Sequence, residues 1–345
     1  MRVVLLALLT SFGVLGPGCH SSPASDADPS ADDARPPGDR VTPGVDSLAF
    51  SSKITIIVEP GDSGSQLLSA INGAKKSVHM TMYLLTESDI INALIARKKA
   101  GCDVSVVLNQ NFSGTSTNNQ TAYTQLNNGG VAVHWAWNAF TLTHEKCVII
   151  DGSSAWIMTM NATVSSPKDN REYLAVDTDP LDVAEAEAIF SGDFKSTQVV
   201  PNGRLLVAPV NADEGLGALI DSAHTSIDIE AEELSDSDIV AKLVAASKRK
   251  VAVQIVLSDD SPTSAQSSAV TQLKAAGVKL VSLSKPYIHA KSLVVDGAAA
   301  YVGSENFTNA SLFHNRELGV VFSTASEVSK VLTATRGDFA SGTAL

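Results

Sequence analysis

Two stretches of the chain carry the same order of apolar and polar positions. Residues 68–109 run alongside 217–258, with Ser77 matching Ser226, Asp89 matching Asp238 and Val104 matching Val253 at a constant offset of 149. The offset falls to 147 at Leu126 and Gly130, which match Leu273 and Gly277, and to 145 from His144 onward. Gly192-Asp193-Phe194 returns as Gly337-Asp338-Phe339 and closes both copies. Residues are lost in loops while the elements stay in step, so a whole domain is duplicated; solenoid repeats are far shorter. In each copy a short alternating or β-branched run, Ser77–Tyr83 and Ser226–Glu232, predicts a strand. Asp89 and Asp238 then precede apolar residues at helical spacing (Ile90, Ile91, Leu94, Ile95; Ile239, Val240, Leu243, Val244), where Asp suits a helix N-terminus. Val104–Leu108 and Val251–Leu257 predict buried strands, followed by helices over Thr121–Asn127 and Ala265–Ala275 and a further strand. This β-α-β rhythm predicts an α/β architecture with helices flanking mixed sheets. The two units, 53–199 and 200–345, join near Val199–Gly203 and are expected to pack about a pseudo-twofold axis.

The first fifty residues follow another logic. Arg2 precedes an almost wholly apolar run, Val3 to Val14, and then Gly16-Pro17-Gly18-Cys19. A charged start, an apolar stretch and small residues at the cut predict an export signal over 1–18. Cys19 after a small residue is similar to a bacterial lipoprotein signal, in which the cysteine is lipidated, although Gly16 stands where Leu is usual and Leu15 lies one step back. From His20 to Asp46 the chain is mostly Ser, Pro, Ala, Gly and Asp. It has too few apolar side chains to offset the cost of ordering, so 19–52 is expected to be an acidic stalk. An anchor and spacer of this kind would hold the body at a membrane surface without crossing it.

Composition narrows the class. Hydrophobic residues make up 44% of 345 and charged residues 18%, enough apolar content for two cores. The formal charge of −12 disfavours a protein that holds nucleic acid chiefly by phosphate neutralisation. Three cysteines without a C-x-x-C pair exclude a zinc ribbon or a disulfide framework. Cys102 and Cys147 read as buried thiols.

The chemistry falls at one place in each repeat. His144-Glu145-Lys146-Cys147-Val148-Ile149-Ile150-Asp151-Gly152 and His289-Ala290-Lys291-Ser292-Leu293-Val294-Val295-Asp296-Gly297 both read H-x-K-x4-D-G. The apolar residues after each Lys predict a strand, which turns His and Lys to one side and Cys147 and Ser292 to the other. Asn161 and Asn306 lie 17 residues after their histidines, and Asn170-Arg171-Glu172 and Asn315-Arg316-Glu317 also match. A lysine beside each histidine argues against a cation site, and no metal or other cofactor is implied. His79, His134, His224 and His314 have no repeat partners and read as incidental. Trp135, Trp137 and Tyr287 suit either the core or a cleft lining. The basic runs Arg97-Lys98-Lys99 and Lys248-Arg249-Lys250 complement helix ends.

Paired H-x-K-x4-D motifs, each followed by a small-hydroxyl-x-Asn element and a carboxylate, resemble the phospholipase D superfamily across residues 53–340. The second copy holds Gly303-Ser304-Glu305-Asn306; the first holds Met158-Thr159-Met160-Asn161, with Met in place of the usual Gly and Thr in place of Ser. The resemblance implies two tandem phospholipase D-like sandwiches and a phosphohistidine intermediate. His144 would be the nucleophile and His289 the acid, and Lys146, Lys291, Asn161, Asn306, Thr159 and Ser304 would hold the phosphate. Glu172 and Glu317 would each accept a ring Nδ1–H. Asp151 and Asp296 are expected to brace neighbouring turns. Hydrolysis of a phospholipid headgroup ester is the leading expectation, with a nuclease or cardiolipin synthase-type transfer as alternatives. Synthases usually carry transmembrane helices, and no long apolar run follows residue 20. Both half-sites lie in one chain, which suits a monomer.

Overall fold

A computed structural model describes residues 48–110, 112 and 118–345. The segments expected to be an export signal (1–18) and most of the expected stalk, with Cys19, lie outside these residues. The first copy runs β1 (Ile54–Glu59), α1 (Ser65–Gly73), β2 (Ser77–Met82), α2 (Ser88–Lys99), β3 (Asp103–Leu108) and α3 (Gln120–Asn128). It continues with β4 (Ala132–Trp135), β5 (Lys146–Ile150), β6 (Ser154–Met158), α4 (Ser166–Asp169), β7 (Asn170–Asp177) and α5 (Pro180–Lys195). The second copy runs β8 (Leu206–Ala208), α6 (Ala212–Asp221), β9 (Ser226–Ala231), α7 (Ser237–Lys248), β10 (Ala252–Ser258) and α8 (Ser264–Ala275). It ends with β11 (Lys279–Leu283), β12 (Tyr287–Ile288), β13 (Lys291–Val295), β14 (Ala299–Gly303), α9 (Asn309–Phe313), β15 (Glu317–Phe322), α10 (Ala325–Ser341) and β16 (Thr343–Ala344).

The strands form two mixed sheets, in the orders β1-β7-β6-β5-β2-β3-β4 and β16-β11-β10-β9-β13-β14-β15-β8. In both, the strand before the first long helix pairs parallel to the next strand and antiparallel to the motif strand: β2 with β3 and β5, β9 with β10 and β13. Alternation along β2 sends Val78, Met80 and Met82 into a core under α1, α2 and α3, where they meet Leu67, Ile71, Leu94 and Leu126. Ile227, Ile229 and Ala231 of β9 do the same under α6 and α7. The caps stand two residues ahead of the expected Asp positions. Glu87 accepts from Asp89 N–H, and Asp236 accepts from Asp238 and Ile239 N–H at 3.0 Å each. Asp89 and Asp238 fall in the first turn, where their charge still favours the helix N-terminus.

A third core joins the halves. Cys147, Ile149, Ile157, Tyr173 and Ala175 of the first sheet pack with Val294, Val302, Leu318, Val320 and Phe322 of the second, and α5 and α10 close the layer. Each fully buried large side chain here contributes about 1.5–3 kcal/mol, so the halves share one apolar interior. Cys147 is in this seam, and burial pushes its thiol up; Cys102 and Cys147 are both free. The stalk expected through residue 52 ends sooner. Leu48 and Phe50 pack on the second core, and Ser51 N–H donates to Val321 O at 2.8 Å, because these apolar side chains have a surface to cover.

The two Asp-Gly turns carry the braces expected of Asp151 and Asp296. Each Asp and the Gly after it adopt positive φ, 56° and 62° in one copy and 53° and 63° in the other. Asp151 accepts from the N–H groups of Lys75, Lys76 and Ser77, and Asp296 from those of His224, Thr225 and Ser226. These bonds hold the Asp296 carboxyl at about 2, below its ordinary 3.8, against the opposing pull of burial. A carboxyl depressed on folding lends stability above its unfolded value and loses it as pH falls through the folded one. Asp296→Ala should therefore lower stability at pH 7 by about 2 kcal/mol. In thermal melts the gap from wild type should close as pH drops from 4 towards 2.

Candidate active site

The motif histidines lie just ahead of the strands expected to carry them. β5 opens at Lys146 and β13 at Lys291, leaving His144 and His289 two residues ahead of the strands. The other half of the protein takes hold of the chain there. His144 and Glu145 N–H both donate to Arg316 O, at 2.9 and 3.0 Å, and Tyr287 and Ile288 of β12 pair with Asn170 and Arg171 of β7. Each lysine curls back, Lys146 Nζ donating to His144 O at 2.6 Å and Lys291 Nζ to His289 O at 2.8 Å. His and Lys of each motif thus work as one unit.

The carboxylates pair across the halves. His144 Nδ1 lies 3.0 Å from both Glu317 oxygens, and His289 Nδ1 lies 2.8 and 2.9 Å from those of Glu172. Each copy therefore supplies the acceptor for the other copy's imidazole. Both carboxylates are fully buried, and fixing Nδ1–H this way leaves each Nε2 for chemistry. Two arginines that match in the repeat reinforce the exchange. Arg171 donates to Asp338 of α10 at 2.6 and 3.1 Å and to Glu59 O at 2.7 Å. Arg316 donates to Asp193 of α5 and to Ala208 O, the same contacts seen from the other side. The sequence shows these Arg and Asp residues as matched pairs; only the fold shows that they join opposite copies.

Thr159 and Ser304, expected to hold phosphate, are fully buried behind the carboxylates instead. Thr159 Oγ1 donates to Glu172 Oε2 at 2.5 Å, and the hydroxyls of Ser304 and Ser311 bond Glu317. Their hydroxyls are spent on orienting the acceptors. Asn161 and Asn306 are buried, and the group each could offer a phosphate oxygen is its Nδ2–H2, the donor end of the amide. Gly303 is set by packing, not by a ligand. A Cβ there would sit 2.3 Å from Tyr301 Oη and 2.4 Å from Glu305 Oε2, whereas the first copy has Met158 beside Trp156 and Met160 in the matching places.

Burial first, and then the Lys146 and Lys291 charges, push His144 well below its ordinary value, so it is neutral at pH 7. The charges of Glu232 and His289 also bear on His144, so the motif residues of the second copy lie within electrostatic reach of the first. Burial lowers Lys146 to about 7 and raises Glu317 to about 7. The pocket is not symmetric. Glu232 accepts from Lys291 Nζ at 2.5 Å and from Tyr287 Oη at 3.2 Å, and its Oε2 lies 3.7 Å from His289 Nε2. The matching residue in the first copy is Tyr83, whose ring lies 4.5 Å from that of His144 and 5.0 Å from Lys146 Nζ. Sequence reasoning passed over Glu232; its signal is a carboxylate just past an alternating strand, where the repeat has an aromatic.

Other residues take structural places. His79 bonds Glu187 at 2.7 Å and stacks on Phe190. Trp135 stacks on Tyr123 and, with Phe112, Gln110, Asn118, Asn119 and Gln120, lines an open groove; Phe112 also touches Tyr83. Tyr287 donates to Asp260 at 2.6 Å, which ties the loop after β10 to the pocket.

Burial and the nearby Glu317 raise Glu305 to about 8, so it carries a proton at pH 7. Such an acid binds a proton in the folded state that the unfolded chain, at 4.5, has lost, and stability falls as pH climbs through that window. Glu305→Gln should match wild-type stability within about 1 kcal/mol near pH 5 and exceed it at pH 8. Thermal melts at the two pH values check this.

Known proteins carry the same plan. The sequence profile of a family described as "Cardiolipin synthase, PLD-like domain" matches residues 67–194 and 216–336. The minor cardiolipin synthase ClsB of Bacillus subtilis is 22% identical over 323 residues, 83% of this chain and 81% of that protein. Among solved structures, phosphatidylserine synthase of Haemophilus influenzae superposes with a TM-score of 0.66 at 12% identity, covering 86% of this chain and 89% of the other. Polyphosphate kinase of Porphyromonas gingivalis gives 0.65 at 17% identity, over 83% of this chain and 47% of the kinase. At such identities the two structures speak for the fold alone. The profile spans both copies and most of the chain, so this protein belongs to the PLD-like domain family of the phospholipase D superfamily.

Proposed function

We propose that the chain transfers a phosphatidyl group between alcohols in the manner of a cardiolipin synthase, through a phosphohistidine on His144. The observation that carries the reading is one pocket built by both copies, with two imidazoles, each oriented by the other copy's carboxylate and each beside its own lysine. A phosphodiester resists attack because its oxygens are anionic, so the pocket's work is positioning and charge stabilisation. His144, held neutral, has its Nε2 lone pair available to attack phosphorus. As the P–N bond forms and the P–O bond breaks, His289 gives its Nε2 proton to the leaving alcohol. The acceptor alcohol then returns a proton to His289 while its oxygen displaces His144. Lys146, Lys291, Asn161 and Asn306 would hold the non-bridging oxygens. Water in the acceptor's place gives headgroup hydrolysis, which the sequence reading put first. The names of the curated relatives favour the alcohol. The groove of Phe112 and Trp135, which reaches His144 through Tyr83, suits the apolar part of a lipid. We also place the mature protein at a membrane surface, exported and lipidated at Cys19; among the described residues no helix is long and apolar enough to cross a membrane.

Incubation with phosphatidylglycerol vesicles in EDTA should yield cardiolipin and glycerol. Phosphatidate without cardiolipin would replace transfer by hydrolysis, and plasmid nicking without lipid turnover would overturn the lipid reading. His144→Ala should lower turnover by about 10³-fold or more while the thermal melt is kept. Glu317→Gln should lose roughly 10²-fold, since it weakens the orientation of the nucleophile.

A further inference from the structure

Glu232 is the one carboxylate described above on the reactive edge of the imidazoles. Glu172 and Glu317 face the Nδ1 edges, where they orient the rings. Glu232 instead reaches Lys291 Nζ and stands 3.7 Å from His289 Nε2, on the side where a phosphate must lie for either imidazole to act on it. Its side chain is only 6% exposed, and burial there would favour the neutral acid, yet Lys291 and His289 keep it ionised. The first copy offers no such charge, with Tyr83 in the matching place. Lys291 would bring a positive charge to the phosphate, with Lys146 adding to it only below about pH 7, and Glu232 offsets the Lys291 charge at short range.

We infer that Glu232 is a charge filter, built into the second half-site, that fits the cleft to phosphodiesters with a single negative charge and disfavours doubly charged phosphate monoesters. A diester group carries one negative charge, whereas a monoester past its second ionisation carries two. Phosphatidate, the product if water intervenes, gains a second charge near pH 6 to 7, as does free phosphate. With Lys291 already engaged by Glu232, the second charge meets a carboxylate instead of a free ammonium. The filter thus keeps monoester products from occupying the cleft. It rests on the reading that this pocket binds phosphate, and not on which lipid or acceptor is used.

The test measures binding of two small probes to the full-length protein at pH 8, inorganic phosphate and dimethyl phosphate, by 31P NMR titration. Wild type should bind dimethyl phosphate at least as tightly as inorganic phosphate. Glu232→Gln should raise the affinity for inorganic phosphate relative to dimethyl phosphate by roughly tenfold. Glu232→Tyr, which installs the first copy's residue, should act in the same direction and serves if the Gln variant does not fold. A wild type that already prefers inorganic phosphate by about tenfold, or variants with an unchanged ratio, would overturn the filter while leaving the phosphate site intact. Failure of both probes to bind, or binding undiminished in His144→Ala with Lys291→Ala, would overturn the phosphate reading itself.

Discussion

The structure depends on a reciprocal exchange of carboxylates across the seam between two copies of one domain. An imidazole acts in a defined tautomer only if an acceptor fixes its Nδ1–H, and here neither copy can do this for itself. Glu317 reaches His144 and Glu172 reaches His289, both fully buried, and both supported by hydroxyls from their own copy. The backbone follows the same rule. His144 hangs on Arg316 O, β12 runs along β7, and Arg171 and Arg316 each lock onto an aspartate in the opposite copy's last helix. An apolar layer beneath these contacts makes the seam a core, so the geometry of the motif residues and the folding of the two halves are set at one interface.

On this symmetric frame the pocket is electrically lopsided. One histidine stands against Tyr83, leading to an aromatic groove; the other stands against Glu232, leading to Tyr287 and Asp260. On the proposed reading, a phosphodiester with two unlike ester arms would have two unlike places to put them. The differences between the copies therefore carry as much information about the substrate as the matched motifs do.

Much of the fold was legible because its signals are local. Strand alternation, helix spacing, the Asp-Gly turns and the H-x-K spacing each span fewer than ten residues, and duplication reads every signal twice. Asp151 and Asp296 were legible for that reason: a turn residue with a carboxylate braces whatever backbone lies beside it. Pairings across the seam were not legible. Glu172 is 28 residues from His144 and 117 from His289, and nothing in one dimension says that it serves the more distant ring. Thr159 and Ser304 misled because a hydroxyl near a phosphate motif looks like a ligand, while its actual partner is the carboxylate behind the histidine. Glu232 was overlooked because reading by repeats rewards agreement, and this residue matters by disagreeing.

The chain that passes from α5 to β8 near Val199–Gly203 joins the halves covalently, and that join frees them from each other in one respect. When two identical subunits build a shared pocket, any amino-acid exchange is made on both walls at once, and neither wall can be tuned alone. In a tandem polypeptide each wall has its own codons. A tyrosine can stand beside one imidazole and a carboxylate beside the other, without compromise between the two settings.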